Sequence, residues 1–222
     1  MKQIFEGQVY EILPLANGII FSYCKDSTDE NVTVSYKMIS FENGRITDVA
    51  KNIYLLTKFG GNYKAVMEHC DNYITTKSIV LSNGKVFLLL ADGTAKLIDI
   101  DSSIVWQGSF NYRSAPASDI VIHKNSIWAC FPDCNVLLRY NLNTMREELR
   151  IGGNKSPFSK PKSMFLEGDS ATVCNRDAKK LTKVNLENYV VSEDETFEED
   201  VLQYLKSDIY RFVILESGLY MI

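Results

Sequence analysis

Five times along this chain a turn-forming residue is followed, eight positions later, by an acid. The turn residues are Gly18, Gly84, Asn125, Asp169 and Asp208; the acids are Asp26, Asp92, Asp133, Asp177 and Glu216. Acids make up only 28 of the 222 residues, so five matches in five mark a repeat rather than chance. A second phrase recurs 14 or 15 residues after four of these turns: IDIDSS at 98–103, YNLNTM at 140–145, VNLENY at 184–189, and simply Ile222 in the last unit. The first unit carries it later, as ISFENG at 39–44, because residues 27–32 lengthen its middle hairpin. Successive turn residues stand 66, 41, 44 and 39 positions apart. A period of this length means small units that cannot bury an apolar face alone and must stack on one another.

The stretch 77–108 shows what each unit contains. A short apolar run at 78–81 stops at Asn83-Gly84, a dipeptide suited to a tight hairpin turn. Residues 86–91 are almost wholly apolar, which predicts a strand buried on both faces. Asp92-Gly93 turns the chain again, since both residues tolerate positive φ. Alternating polar and apolar residues at 96–100 predict a strand with one wet face, and 104–107 begins an outer strand. Four strands per unit at this period are the signature of a β-propeller. The predicted fold class is all-β, a five-bladed propeller of four-stranded antiparallel blades forming a single domain over residues 1–222. The blades are expected at 8–60, 77–110, 117–152, 161–196 and 200–222. The last unit holds only three strands. Residues 1–7 supply the fourth, because Gln3-Ile4-Phe5-Glu6-Gly7 matches Ile104-Val105-Trp106-Gln107-Gly108 in type and order. Closure of that kind leaves no open sheet edge to invite aggregation.

In its turns, its third-strand phrases and its period, the chain resembles the broad group of WD-, NHL- and YVTN-type propellers over essentially its whole length. The likeness is one of pattern, for the Gly-His and Trp-Asp pairs of WD repeats are missing. The resemblance implies a ring closed by its first strand. It also implies a partner-binding face, formed where each outer strand connects to the next inner one around the channel mouth.

Charge and cysteine content narrow the setting. With 24 basic against 28 acidic residues the net charge is −4, so no general nucleic-acid footprint is present. The longest apolar runs are about six residues, against the roughly 20 needed to cross a bilayer, and no membrane association is expected. The N-terminus meets Glu6 and Gly7 before any apolar stretch of signal-peptide length develops, so no secretory signal is expected. Five cysteines, an odd number without disulfide or zinc spacing, point to a reducing, cytoplasmic compartment.

Candidate sites follow from the repeat. The ring of acids is read as turn residues held too far apart to share one ion, so no metal is expected. Cys130 and Cys174 fall where Leu89 and Val213 fall in other units, and so read as core. His69-Cys70, adjacent in a long connection, is poorly placed for a nucleophile and base, although 63–70 has the makings of a helical turn. The connections between blades carry more chemistry. Asn62-Tyr63-Lys64, Asn111-Tyr112-Arg113 and Asn154-Lys155 recur at matching places, with Phe158 and Lys160 following the third. Aromatics beside basic residues are typical contact chemistry. Together with Lys162 these residues predict a basic sector, and the acids at 193–195 and 198–200 an acidic one on the same face.

The expected function is a non-catalytic binding module that uses its loop face and channel mouth to hold a protein, a peptide or a small polar ligand, with no cofactor. The alternative is a glycoside hydrolase-like or metal-dependent lactonase-like enzyme, or a scaffold subunit of a larger assembly. Its inner-strand acids would be Glu11, Asp119 and Glu167, with Ser78 and Ser163 as the counterparts of Asp119. One acid among serines is not a catalytic pair.

Overall fold

The structure is a computed structural model describing residues 1–28, 31–207 and 209–222. The first strand, β1 (Lys2–Glu6), belongs to the last blade. Blade one is β2 (Val9–Leu15), β3 (Gly18–Ser27), β4 (Val32–Ser40) and β5 (Ile46–Asp48). Two helices follow, α1 (Lys51–Phe59) and α2 (Tyr63–Met67). Blade two is β6 (Lys77–Val80), β7 (Val86–Leu89), β8 (Thr94–Ile98) and β9 (Ile104–Ser109). A two-stranded ribbon, β10 (Asn111–Tyr112) and β11 (Ala115–Pro116), leads into blade three. That blade is β12 (Asp119–His123), β13 (Ser126–Phe131), β14 (Val136–Asn141) and β15 (Glu147–Gly152). Blade four is β16 (Pro161–Glu167), β17 (Ser170–Asn175), β18 (Lys180–Asn185) and β19 (Val191–Thr196). Blade five is β20 (Val201–Ser207), β21 (Tyr210–Leu215) and β22 (Gly218–Met221).

Each blade is a four-stranded antiparallel sheet in chain order, and in blade five β1 takes the fourth place. Lys2 stands opposite Met221 and Glu6 opposite Gly218, the closure that the N-terminal motif predicts. The inner strands pack side by side around the channel: β6 on β12, β12 on β16, β16 on β20, and β20 on β2. The protein is therefore a five-bladed β-propeller. Among the described residues no helix is long and apolar enough to cross a membrane.

One apolar cluster fills each seam, because strands buried on both faces must meet apolar neighbours on either side. Phe87, Phe110, Ile127 and Leu138 join blades two and three; Trp128, Val173 and Val184 join three and four. Leu181, Val213 and Leu215 join four and five, and Ile12, Ile19, Phe212 and Ile214 join five and one. The seam between blades one and two is different. There α1 packs on β2, β3, β4 and β6, placing Tyr54, Leu55 and Phe59 among Ile20, Tyr36, Val86 and Leu88. Buried residues at 54, 55, 58 and 59 form the stripe of an amphipathic helix.

Several expectations need correcting. Blade one ends at Asp48 rather than Gly60, because α1 leaves the sheet and enters the seam. Asp26 lies within β3, since the lengthened hairpin carries its strand past the position where other blades turn. Residues 193–195 lie in outer strand β19 and not in a loop, so they do not share a loop face with residues 198–200. The fifth turn residue, Asp208, lies outside the described residues.

Candidate functional site

Of the three carboxylates an enzyme would need, Glu11 and Asp119 both lie near Lys77, while Glu167 stands apart. Glu11, on β2, is only 4% exposed and faces α1. Lys58 Nζ donates to its Oε2 at 2.6 Å and the Tyr54 hydroxyl donates to the same oxygen at 2.5 Å. Lys77 Nζ stands 3.5 Å from Oε1. Burial pushes the Glu11 carboxyl up, but the Lys58 and Lys77 charges and these hydrogen bonds outweigh it and hold the group below its ordinary value. Lys58 is itself 2% exposed, so this is a buried ion pair on the wall of the helix seam. Asp119, on β12, accepts the Met164 N–H at 2.8 Å through Oδ2; burial raises its carboxyl above the usual range, against the pull of Lys77. Glu167 lies at the far end of β16, bound to Lys206 at 2.8 Å.

Sheet register also revises the partners of Asp119. Asp119 pairs with Cys130, Ser163 with Cys174, and Lys77 with Leu89. The blade-two counterpart of Asp119 is thus Lys77, one residue before the expected Ser78. A lysine and an aspartate therefore occupy equivalent channel positions in neighbouring blades.

Two of the concavities on the face where inner strands begin are lined by cations. The first, of about 470 Å³, sits at the channel mouth, and its lining includes the apolar residues Leu89, Leu90, Ala117 and Pro132 and the basic residues Lys77, Lys160, Lys162 and Arg176. The second, of about 400 Å³, lies further out on the rim between the ribbon and blade three. Its lining includes Tyr112, Arg113, Asn135, Arg150 and Asn154 and contains no acid. An Arg150 N–H donates to the Tyr112 hydroxyl at 2.5 Å, and the guanidinium carbons of Arg113 and Arg150 lie 5.3 and 6.0 Å from the Tyr112 ring centre. Among the described residues neither guanidinium has a carboxylate within 4.0 Å. Arg113 and Ser114 make the two-residue turn of the ribbon with φ of 51° and 67°. Such turns favour Asn-Gly, so an arginine is held there at a conformational cost.

The sequence-derived residues divide. Tyr112, Arg113 and Asn154 come together in the rim pocket, and Lys160 lines the channel mouth. Asn111 is exposed beside them, its amide donating to Ser109 Oγ at 2.6 Å; Lys155 is exposed and lines neither cavity. Phe158, expected at the surface, is 4% exposed and belongs to the seam between blades three and four. Asn62 does not match Asn111 and Asn154: its amide donates to the Ile100 carbonyl at 2.7 Å, in the turn after β8 at the opposite end of blade two. Tyr63 and Lys64 begin α2 at that same end. The linker reaches it because α1 runs down the seam first.

The remaining candidates take structural roles. Asp92 accepts the Thr94 N–H at 2.8 Å, as a turn residue should. Cys130 and Cys174 are fully buried; burial raises both thiols, Cys174 to about 12. His69 Nε2 meets the Ser102 carbonyl at 3.0 Å while Cys70 Sγ points back to Val66, so the two do not form a pair. Among the described residues no three of His, Cys, Asp or Glu stand together as a metal site would require.

No family model matches the chain, and no curated protein matches it. Solved structures do. A protein of unknown function from Bacteroides caccae is similar at a TM-score of 0.55 and 14% identity, over 96% of this chain and 77% of its own. The computationally designed Ika8 protein is similar at 0.50 and 10% identity over 96% of this chain, and Sqt1 of Saccharomyces cerevisiae at 0.50 and 10% over 95%. This chain spans 57% of the length of each of those two. At such identities the likeness is one of propeller fold alone.

Proposed function

We propose that the protein is a non-catalytic binding module that engages an acidic or polar protein or peptide through the rim pocket of its loop face. The observation that carries this reading is the pairing of Arg113 and Arg150 around Tyr112, with no carboxylate partner among the described residues. Guanidinium groups match carboxylates bidentately, and aromatic–arginine clusters are enriched among residues that dominate interface energetics. The enzyme alternative finds less support: Glu11 is neutralised inside the helix seam, and Glu167 is bound to Lys206 at the end of β16. A reducing, cytoplasmic setting is part of the proposal, supported by five cysteines that form no bridge.

The test is affinity capture with the wild-type protein and with the Arg113→Ala/Arg150→Ala double variant, both checked for equal thermal stability. A partner retained by the wild type and lost by the variant is expected. Identical partner lists would overturn the assignment of the rim.

A further inference from the structure

The channel-mouth cavity is separate from the rim pocket and differs from it in chemistry. Its lining includes the apolar residues Leu89, Leu90, Pro116, Ala117 and Pro132. The same lining holds four cations against a single acid, Asp133. Three of the cations are already tethered by groups outside the cavity. Lys77 is 3.5 Å from Glu11, Lys160 is 3.1 Å from Asp177, and Arg176 is 3.0 Å from Asp200. These tethers fix where their charges sit. Lys162 differs, because among the described residues its ammonium has no carboxylate within 4.0 Å. Its backbone carbonyl accepts from Ser118 Oγ at 2.7 Å, which anchors the strand that carries it. Lys162 is exposed, yet desolvation by the protein around it and then the Lys77 charge, with Arg176 adding to them, act against its protonated form, while Asp119 acts for it. An anion reaching the exposed Lys162 ammonium would offset the repulsion of Lys77 and Arg176 and favour its protonated form.

We propose that the channel mouth is a binding site for a small organic anion, with its oxyanion head on Lys162 and an apolar body of a few carbons to one ring against Leu89, Leu90 and Pro132. A volume of about 470 Å³ accommodates such a molecule, and small-molecule sites of roughly 300–1,000 Å³ usually combine an apolar lining with a few directed polar groups. An incoming anion would supply Lys162 with the counter-charge that its three neighbours already have. Carboxylate and phosphate ester heads share the required chemistry.

Isothermal titration with phenylacetate, phenyl phosphate, inorganic phosphate and the uncharged phenylacetamide separates these possibilities. At least one of the two organic anions is expected to bind with a dissociation constant of about 1 mM or tighter, and phenylacetamide at least about tenfold more weakly, a loss of about 1.4 kcal/mol. Whichever of the two binds more tightly identifies the preferred head. Lys162→Gln, an exposed position, is expected to weaken binding at least about tenfold, and Lys162→Arg to retain it. Failure of both organic anions to bind would overturn the proposal, as would equal binding by Lys162→Gln. Inorganic phosphate binding as tightly as phenyl phosphate would remove the apolar wall from it. The rim double variant Arg113→Ala/Arg150→Ala serves as control. It should bind the organic anion unchanged, so the two sites stand or fall independently.

Discussion

Replacing Lys58 by methionine would test the helix seam most severely. Methionine keeps most of the stem volume and removes the charge, leaving Glu11 buried beside Tyr54 with only the more distant Lys77 for compensation. Removing one partner of a buried ion pair costs about 3–5 kcal/mol, because the remaining charge stays desolvated. For a chain of this size each kcal/mol shifts Tm by about 2–4 °C, so the expected loss is about 6–20 °C near neutral pH. The pH dependence supplies the sharper check. In the wild type the Glu11 pKa lies below its ordinary value of 4.5, so its stabilising contribution is present above that value and fades as pH falls through the folded pKa. Without Lys58 the burial contribution prevails, and the folded pKa moves above the unfolded one. The variant then regains stability as Glu11 protonates, and its deficit relative to wild type shrinks between pH 7 and pH 4. Differential scanning calorimetry at several pH values measures both effects. A Glu11→Gln/Lys58→Met double variant should recover part of the loss, since the buried carboxylate is gone and only Lys77, which is partly exposed, loses its partner. A Lys58→Met protein that melts with the wild type at pH 7, or whose deficit is the same at pH 4, would refute the reasoning.

Closure of blade five yields two further expectations. Deleting residues 1–7 removes Phe5 from its contacts with Phe21 and Tyr23, at 5.3 and 4.6 Å between ring centres, and leaves β22 as an open edge. Light scattering on the truncated protein should show aggregation, and its Tm should fall; an unchanged Tm would sink the closure reading. Replacing Gly218 by alanine places a Cβ 2.1 Å from the Phe5 carbonyl oxygen, which must push β1 away from the sheet. A loss of about 1–3 kcal/mol in urea unfolding is expected from such crowding, and no loss would show that β1 is not held there.

What could be read in advance was whatever is written locally. Turn dipeptides and apolar runs recur within a dozen residues of each other, so blade count, strand order and even the closing role of residues 3–7 followed from spacing. The core identity of Cys130 and Cys174 followed in the same way, since equivalent positions in other blades hold Leu89 and Val213. α1 was missed because its stripe of Tyr54, Leu55, Lys58 and Phe59 spans little more than one turn and includes a lysine. Once the helix is missed, the linker seems to stay on the loop face, and Asn62 is aligned with the wrong partners. Glu11 looked available because its counter-ion lies 47 residues away, a separation that leaves no local trace. Arg150 was overlooked for a related reason. It sits in outer strand β15, and only sheet packing brings it over Tyr112.

The pairing of β1 with β22 also sets the order of events during synthesis. Among the strands of this ring, the one made first pairs last. At about 5–20 residues per second, roughly 10–40 s pass between the emergence of β1 and that of β22. Throughout that interval Ile4 and Phe5 have no sheet to join, and the Gln203 side chain that bridges the ring at Ile12, with bonds of 2.9 Å in both directions, has not yet been made. Blades one to four can form in turn as they emerge, but the ring cannot close until β22 has emerged. Until β22 emerges, the nascent chain therefore depends on keeping one short apolar segment from finding another partner.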